Sequence, residues 1–288
     1  MSAQFAEVGK VPFSEMRKKV WQELSLPVEW VEVTLPLPKK SPCQVVLLGP
    51  EQIDELLPQT PRVPSDVIEA GFADCLIRDL KDNKNKESWW LRCYLKPALR
   101  ILVGERAPHL DTHGVAYVTG VTGLSRMCLV LAAQLGFDRL VLVTKEPEKG
   151  QALVDAISKL FFGLQIRVIG FGELTEQPSD GSILMNTMTD EALGEGLAEL
   201  SYLNYVKREG LVVDLLNEAS NSRLLEETKN VQLSVLSGLE LWGLRDQLLL
   251  KDLLQEKWTI EASEYAKAWL KNEALEPSAP EVEKQTKV

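Results

Sequence analysis

Hydrophobic residues occur in short runs separated by amphipathic and polar segments, and the clearest series lies near the middle of the chain. Val115–Thr119 is an apolar run that ends in a turn, Gly120–Gly123. Leu124–Leu135 then carries apolar side chains at helical spacing and stops at Gly136, and Leu140–Thr144 is a second apolar run. This order predicts a strand, a glycine-bearing turn, a helix and a parallel strand, joined by a right-handed crossover.

Strands continue to alternate with helices as far as residue 237. Further strands are predicted at Gln165–Ile169, Ile183–Asn186, Leu211–Leu215 and Gln232–Leu236. Helices are predicted at Gly150–Phe162, Ser222–Lys229, Gly238–Leu254 and Glu261–Asn272, the last packed through Tyr265, Trp269 and Leu270. The alternation predicts an α/β fold with a doubly wound, Rossmann-like parallel sheet.

The first hundred residues predict a smaller α/β unit. A helix at 14–24 has Ser14 as its predicted N-cap, and short helices follow at 50–57 and 65–71. Strands are predicted at Val28–Leu35, Gln44–Leu48, Ala73–Arg78 and Ser88–Leu95, with a charged hairpin turn at Asp79–Lys86. The chain is therefore expected to contain two domains, followed by a polar tail.

The composition of the chain excludes some classes of binding partner. The net charge of −10 argues against nucleic acid and anionic membranes, since either would repel such a surface. No apolar stretch approaches the length of a membrane span, and the N-terminal residues lack a signal-peptide core. The four cysteines form no CxxC pair and the chain has only two histidines, so we expect reduced thiols, no metal and a cytoplasmic location.

The glycine turn is the main candidate for binding chemistry. A turn between a strand and a helix aims backbone N–H groups at one point, which suits a phosphate. In the dinucleotide fingerprint G-x-G-x-x-G the second glycine lets the backbone approach a pyrophosphate, and here Thr122 holds that place. Lys145 follows the second strand, where it would pair with a 2′-phosphate and favour NADP over NAD. The alternative is a structural turn that binds nothing.

The layout and several motifs resemble shikimate dehydrogenases, which join a substrate domain to an NADP-binding domain. The family's G-A-G-G-A-(A/S)-R turn is similar to Gly120–Arg126, and its N-R-T clamp to Thr144–Glu146. Its D-x-x-Y-x-P-x-x-T-x-L-L segment is similar to Asp214–Leu225, with Asn217 for the Tyr, Ala219 for the Pro and Ser222 for the Thr. The resemblance implies a cofactor site built from Gly120, Val121, Thr122, Gly123, Leu124, Thr144, Lys145 and Asn186.

The residues that would bind and reduce a substrate match poorly. The family's G-L-x-M-L-x-x-Q-G run is similar to Gly238–Asp246, with Arg245 in place of the substrate-binding Gln. Its catalytic Lys would fall within Val45–Ile53, which has no lysine; Lys39, after Val33–Pro36, is a competing match that lies too early. The equivalents of the substrate site are Ser14, Asp74, Lys96, Asn217 and Arg245, with Lys96 near the place of the catalytic Asp. No catalytic residue is assigned.

The resemblance implies four segments: a substrate-type domain at 1–104, a nucleotide-binding domain at 105–240, helices at 241–272 that pack back on the first domain, and a disordered tail at 273–288. Three functions remain open. The first is a non-catalytic binding or regulatory module that holds NADP(H) or another nucleotide between the domains. The second is an NADP-dependent oxidoreductase that uses Lys39 or Lys96 as acid and base and Arg245 to hold an anionic substrate. The third is a scaffold that binds a protein partner or a second copy through Trp89 and Trp90 or the helix at 238–254.

Overall fold

Two β-sheets organise the chain, one within the first hundred residues and one between residues 115 and 237. The computed structural model describes residues 2–33, 43–57, 60, 63–78, 89–217 and 222–273. Lys39, Ala219, the expected hairpin turn at 79–86 and the polar tail after Glu273 lie outside these residues. Within them, no helix is long and apolar enough to cross a membrane.

The first sheet has five strands in the order β2-β1-β3-β4-β5. They are β1 Ala3–Val8, β2 Val28–Trp30, β3 Val45–Leu48, β4 Cys75–Arg78 and β5 Trp89–Arg92. The first three strands are parallel, while β4 and β5 are antiparallel to their neighbours. The helices of this part are α1 Ser14–Glu23, α2 Ile53–Leu56, α3 Ser65–Ala70 and α4 Leu95–Arg106.

The second sheet has six parallel strands in the order β11-β10-β9-β6-β7-β8. They are β6 Val115–Thr119, β7 Arg139–Val143, β8 Gln165–Ile169, β9 Gly181–Asn186, β10 Val206–Asp214 and β11 Ser234–Ser237. From its other edge this is the order 3-2-1-4-5-6 of the dinucleotide-binding Rossmann sheet. The expected α/β architecture with a doubly wound parallel sheet is therefore confirmed.

Seven helices accompany the second sheet or follow it in the described part of the chain. They are α5 Gly123–Leu135, α6 Pro147–Ser158, α7 Asp190–Leu193, α8 Gly196–Ser201, α9 Arg223–Asn230, α10 Gly238–Leu254 and α11 Ala262–Glu273. Gly136 ends α5 at φ 102°, a left-handed conformation that glycine adopts without strain, as its position predicted.

The structure differs from the sequence prediction at several places. Strand β1, near the centre of the first sheet, is missing from the prediction, because only Phe5 and Val8 within Ala3–Val8 are strong strand formers. Ser14 is not the N-cap of α1: Phe13 holds that position at φ 58°, and Ser14 Oγ instead donates to Glu7 Oε2 at 2.6 Å. The strand expected to end at Leu95 stops at Arg92, and Leu95 begins α4.

The last two helices, α10 and α11, pack against α4 and α1, which accompany the first sheet. Helix α10 contacts α4, and α11 contacts both α10 and α1. Trp21 Nε1 in α1 donates to the Tyr265 hydroxyl at 2.8 Å, and Trp269 packs over Gly243, where a Cβ would lie only 3.3 Å from the indole. Tyr265 and Trp269 are buried as expected, but Leu270 is 51% exposed, so its predicted packing role was wrong.

This packing predicts opposite results for two neighbouring truncations in α11. Trp269→Ala should lower the free energy of unfolding by about 3–5 kcal/mol, because it empties a large buried site. Leu270→Ala should change it by no more than about 0.5 kcal/mol, since most of that side chain is already in water. Urea denaturation of the two variants measures the difference, and equal losses would mean that α11 docks through another face.

Candidate functional site

The turn between β6 and α5 is held by its own side chains. Gly120 has φ 80°, and a Cβ there would come within 3.1 Å of Met188, Ser125 and Thr187, so a larger residue is excluded by both conformation and space. Thr122 is the N-cap of α5: its hydroxyl accepts the Ser125 N–H at 3.4 Å, while Ser125 Oγ accepts the Thr122 N–H at 3.2 Å. This reciprocal pair is a capping box, and it fixes the helix N-terminus toward the carboxyl edge of the sheet.

A group of buried hydroxyls ties this turn to the neighbouring strand β9. Thr187 Oγ1 donates to the Thr119 carbonyl at 2.5 Å and lies 2.8 Å from Ser125 Oγ. Thr119 Oγ1 donates to Asn186 Oδ1 at 2.7 Å, and Asn186 Nδ2 donates to Asp214 Oδ1 at 2.9 Å. The ends of β6, β9 and β10 therefore keep fixed positions. Asn186, one of the predicted cofactor residues, is fully buried behind them.

A cleft of about 660 Å³ opens above these strand ends. It lies between β6 and β9, where the strand order reverses and where open α/β sheets bind their ligands. Six of the predicted site residues line it: Gly120, Val121, Thr122, Thr144, Lys145 and Asn217. Gly123 and Leu124 are buried under the turn, and Gly123 packs closely on the Gly71 carbonyl of the first domain.

The first domain supplies the opposite wall of the cleft through Lys10, Pro12, Pro50 and Glu51. These residues were not predicted, because a wall residue is recognised only when two distant segments face each other. Lys10 follows β1 and Glu51 follows β3, so both stand at the carboxyl edge of the first sheet. The two walls therefore meet at the carboxyl ends of both sheets.

Lys145 occupies the place expected for a 2′-phosphate contact, at the end of β7. Its Nζ donates to the Ala192 and Leu193 carbonyls at 3.1 and 2.6 Å, which stabilises the C-terminal end of the short helix α7. An ammonium group has three N–H donors, so one remains for a ligand. The next residue, Glu146, also lines the cleft and forms an ion pair with Lys149.

Asn217 lines the cleft, but its side chain is bonded within the protein. Its Nδ2 donates to Asp214 Oδ2 at 2.6 Å and to Asp190 Oδ1 at 3.0 Å. Burial raises the pKa of Asp214 above its ordinary value, and the hydrogen bonds from Asn217, Ser222 and Asn186 oppose that shift. Asp214 thus anchors the loop after β10 from a buried position. Ser222 Oγ donates to the same carboxylate, and Ser222 is also the N-cap of α9.

Two other equivalents of the substrate site, Asp74 and Arg245, lie away from the cleft in a chain of buried charges. Arg245 Nη2 donates to Asp74 Oδ1 at 3.0 Å and to the Asp74 carbonyl at 2.7 Å, while its Nη1 contacts Asp246 Oδ1 at 2.6 Å. Arg17 Nε contacts Asp246 Oδ2 at 2.7 Å, and Arg17 Nη1 reaches Glu7 Oε1 at 3.1 Å. We call the series Glu7, Arg17, Asp246, Arg245 and Asp74 the ionic chain.

The ionic chain leaves Asp74 and Arg245 without access to a ligand, since both side chains are fully buried. Asp74 Oδ2 also accepts the Tyr94 and Leu95 N–H groups at 2.7 and 2.6 Å, which anchors the start of α4. Burial alone would lower the pKa of Arg245, but the carboxylates of Asp74 and Asp246 outweigh it and raise that pKa above the ordinary arginine value. Arg245 therefore stays charged within this network.

Two predicted residues remain. Ser14 is bonded to Glu7, at one end of the ionic chain, and Lys96 is half-buried on α4 and does not line the cleft. Arg17 and Asp246 were not predicted as partners, although an arginine on the apolar side of a predicted helix was a usable signal. Among the described residues, no group of three or more His, Cys, Asp or Glu could hold a metal ion.

Fold and cleft together define a small mixed α/β domain joined to a Rossmann-type domain, with the cleft between them. This arrangement is the fold of the shikimate dehydrogenases, so the resemblance seen in the sequence is confirmed at the level of the fold. The shikimate 5-dehydrogenase of Thermus thermophilus, solved with NADP(H) and shikimate, is 17% identical; the superposition covers 93% of this chain and 99% of that one, with a TM-score of 0.68.

Two further solved structures share the fold. A chorismate mutase/shikimate 5-dehydrogenase fusion protein from Clostridium acetobutylicum is 13% identical over 95% of this chain and 98% of its own, with a TM-score of 0.72. Quinate dehydrogenase from Corynebacterium glutamicum, solved with NAD, is 11% identical over 94% of this chain and 99% of its own, with a TM-score of 0.71. No protein-family model and no curated protein matches the sequence.

The ionic chain predicts strong coupling between two substitutions. Arg245→Gln leaves Asp74 buried without its cation and should cost about 3–5 kcal/mol of unfolding free energy. Asp74→Asn combined with Arg245→Gln removes both charges, while Arg17 still pairs with Asp246, so the double variant should recover part of that loss. A double-mutant cycle by urea denaturation should give a coupling of roughly 0.5–3 kcal/mol. If the effects of the two single substitutions simply add, Asp74 and Arg245 do not stabilise each other, and the prediction is wrong.

Proposed function

We propose that this protein is a non-catalytic relative of the shikimate dehydrogenases that binds a nucleotide, with NADP(H) as the first candidate, in the cleft between its domains. The observation that supports the non-catalytic assignment is the ionic chain. The sequence resemblance makes Asp74 and Arg245 equivalents of the family's substrate site, and here they bind each other in a fully buried ion pair. Neither group is free to contact a polyol.

A proton donor for hydride transfer to a carbonyl is also lacking in the first domain's equivalent segment. Val45–Ile53 contains no lysine, and Lys96 does not line the cleft. A positioned acid or base typically contributes about 10²–10⁴-fold in rate. The alternative joins Lys39 or Lys96 to Arg245 in a new catalytic set. Lys39 lies outside the described residues, and neither Lys96 nor Arg245 lines the cleft.

The nucleotide part is supported by the fit of the cleft. Its volume of about 660 Å³ lies within the roughly 300–1,000 Å³ typical of ligand pockets. The left-handed Gly120 and the fixed N-terminus of α5 suit a phosphate at the turn, and the exposed Lys10 and Lys145 would add positive charge. Thr122 has a side chain where the fingerprint has a glycine, so a pyrophosphate would approach the backbone less closely than in the usual motif.

When bound, NADP(H) would supply a hydride donor or acceptor, but the residues around it give this chain a binding role. Val121, Thr122 and Thr187 would border the phosphates, and the remaining N–H of Lys145 would face the 2′-phosphate. A regulatory role would need a protein partner, or a second copy of this chain, that distinguishes the nucleotide-bound form from the free form. The four cysteines form no disulfide and are buried, which supports a reducing, cytoplasmic setting.

Thermal unfolding with and without nucleotide tests this function. NADP(H) at a hundredfold excess over its Kd should stabilise the native protein by about 2.7 kcal/mol, because only the folded cleft binds it. Lys145→Ala should reduce the shift with NADP(H) more than the shift with NAD(H), which lacks the 2′-phosphate. Lys159→Ala, an exposed lysine at the end of α6, is the matched control and should behave as the wild type.

The same preparation, incubated with NADP⁺ and shikimate or quinate, should show no cofactor reduction. Turnover at rates normal for the family would contradict the non-catalytic assignment. Absence of a thermal shift with every nucleotide would contradict the binding assignment separately, and would leave the glycine turn as a structural element.

A further inference from the structure

A second concave site lies on the side of α10 that faces away from the ionic chain. Residues 240, 243, 244 and 247 fall on one face of this helix, and Arg245 and Asp246 fall on the other. Helices α4, α10 and α11 enclose a groove of about 370 Å³ over the first face. None of its lining residues belongs to the nucleotide cleft.

The walls of this groove are mainly apolar. Helix α4 contributes Leu102, α10 contributes Leu239 and Leu244, and α11 contributes Ala266, Trp269 and Leu270. Gly243 forms part of the floor, and its missing side chain lets the Trp269 indole lie against the α10 backbone. The groove therefore offers a flat aromatic surface and branched aliphatic side chains to an apolar ligand.

Two side chains that line the groove have a buried donor without a hydrogen-bond partner, Trp269 Nε1 and Gln247 Nε2. Gln247 is only 6% exposed, yet its Nε2 makes no hydrogen bond. A buried unsatisfied donor costs about 1–3 kcal/mol, so it indicates a missing partner. A water molecule needs several polar partners, and most side chains around Gln247 in the groove are apolar. An acceptor atom carried by an apolar ligand would satisfy the amide better.

The charges at the rim limit what that ligand can be. Glu105 is exposed on α4, and Glu240 is already paired with Arg106 and bonded to Ser237 at the start of α10. The carboxylates outnumber the cations here, so an anionic ligand would be repelled. A neutral molecule with a hydrogen-bond acceptor meets no such penalty.

We propose that this groove binds a neutral small molecule that has an apolar body and one carbonyl oxygen, and that Gln247 Nε2 donates a hydrogen bond to that oxygen. The volume corresponds to a substituted aromatic ring or a short acyl chain, toward the lower end of the range for ligand pockets. The site is independent of the nucleotide cleft.

Titration calorimetry with three probes of nearly equal shape tests the proposal on the full chain. Acetophenone carries the carbonyl, α-methylstyrene replaces its oxygen with a methylene group, and benzoate replaces the ketone with a carboxylate. Acetophenone should bind roughly three- to tenfold more tightly than α-methylstyrene, the range expected for one hydrogen bond to a buried donor. Benzoate should bind more weakly than acetophenone because of the rim carboxylates.

Variants locate the binding and its donor. Gln247→Leu should abolish the preference for acetophenone over α-methylstyrene without abolishing binding of either. Ala266→Trp places an indole in the groove and should abolish both, whereas Lys267→Trp adds the same ring at an exposed neighbouring position outside it. All variants should keep the cooperative urea unfolding transition of the wild type, which verifies that they are folded.

Failure of all three probes to bind at millimolar concentration would overturn the proposal. It would also be overturned if Ala266→Trp left acetophenone binding intact, since the probe would then lie elsewhere. A preference for acetophenone that persisted in Gln247→Leu would overturn the assigned donor.

Discussion

The ionic chain is the interaction on which the rest of the molecule depends. Five buried or half-buried side chains of alternating charge, from Glu7 to Asp74, link β1, α1 and β4 to α10. Its excess negative charge is balanced at one end by Lys18, 3.1 Å from Glu7. Buried charges are tolerated only when paired and hydrogen-bonded, so these contacts fix the register of all four elements together. The position of α10 in turn decides where the groove lies.

In the non-catalytic role proposed for this protein, the ionic chain takes the place of substrate contacts while the fold is kept. A residue that binds a polyol must keep polar atoms open to the ligand, whereas Asp74 and Arg245 use theirs on each other and on the start of α4. In that role an internal ion pair replaces ligand contacts, while the cleft above β6 and β9 retains its glycine turn and its hydroxyl network.

The groove over Gly243 is a consequence of how α11 packs. Trp269 fills the space that a side chain at 243 would take, and Gln247 is left one turn away with no acceptor for its amide. Local features such as a glycine in a helix or a glutamine among leucines carry little meaning by themselves. They define a site only when α4, α10 and α11 come together around them.

Local sequence determined much of this protein. The period of apolar residues placed β6, β8 and α10 to the residue, and the left-handed requirement at Gly120 and Gly136 marked the turn and the helix end, because these features depend on neighbours along the chain. Tertiary structure decided the rest. Strand β1, the facing wall at Lys10, and the pairing of Arg17 with Asp246, 229 residues apart, depend on contacts between distant segments. Such contacts leave no periodic signal, since burial of a charge is decided by the partner that folding brings to it.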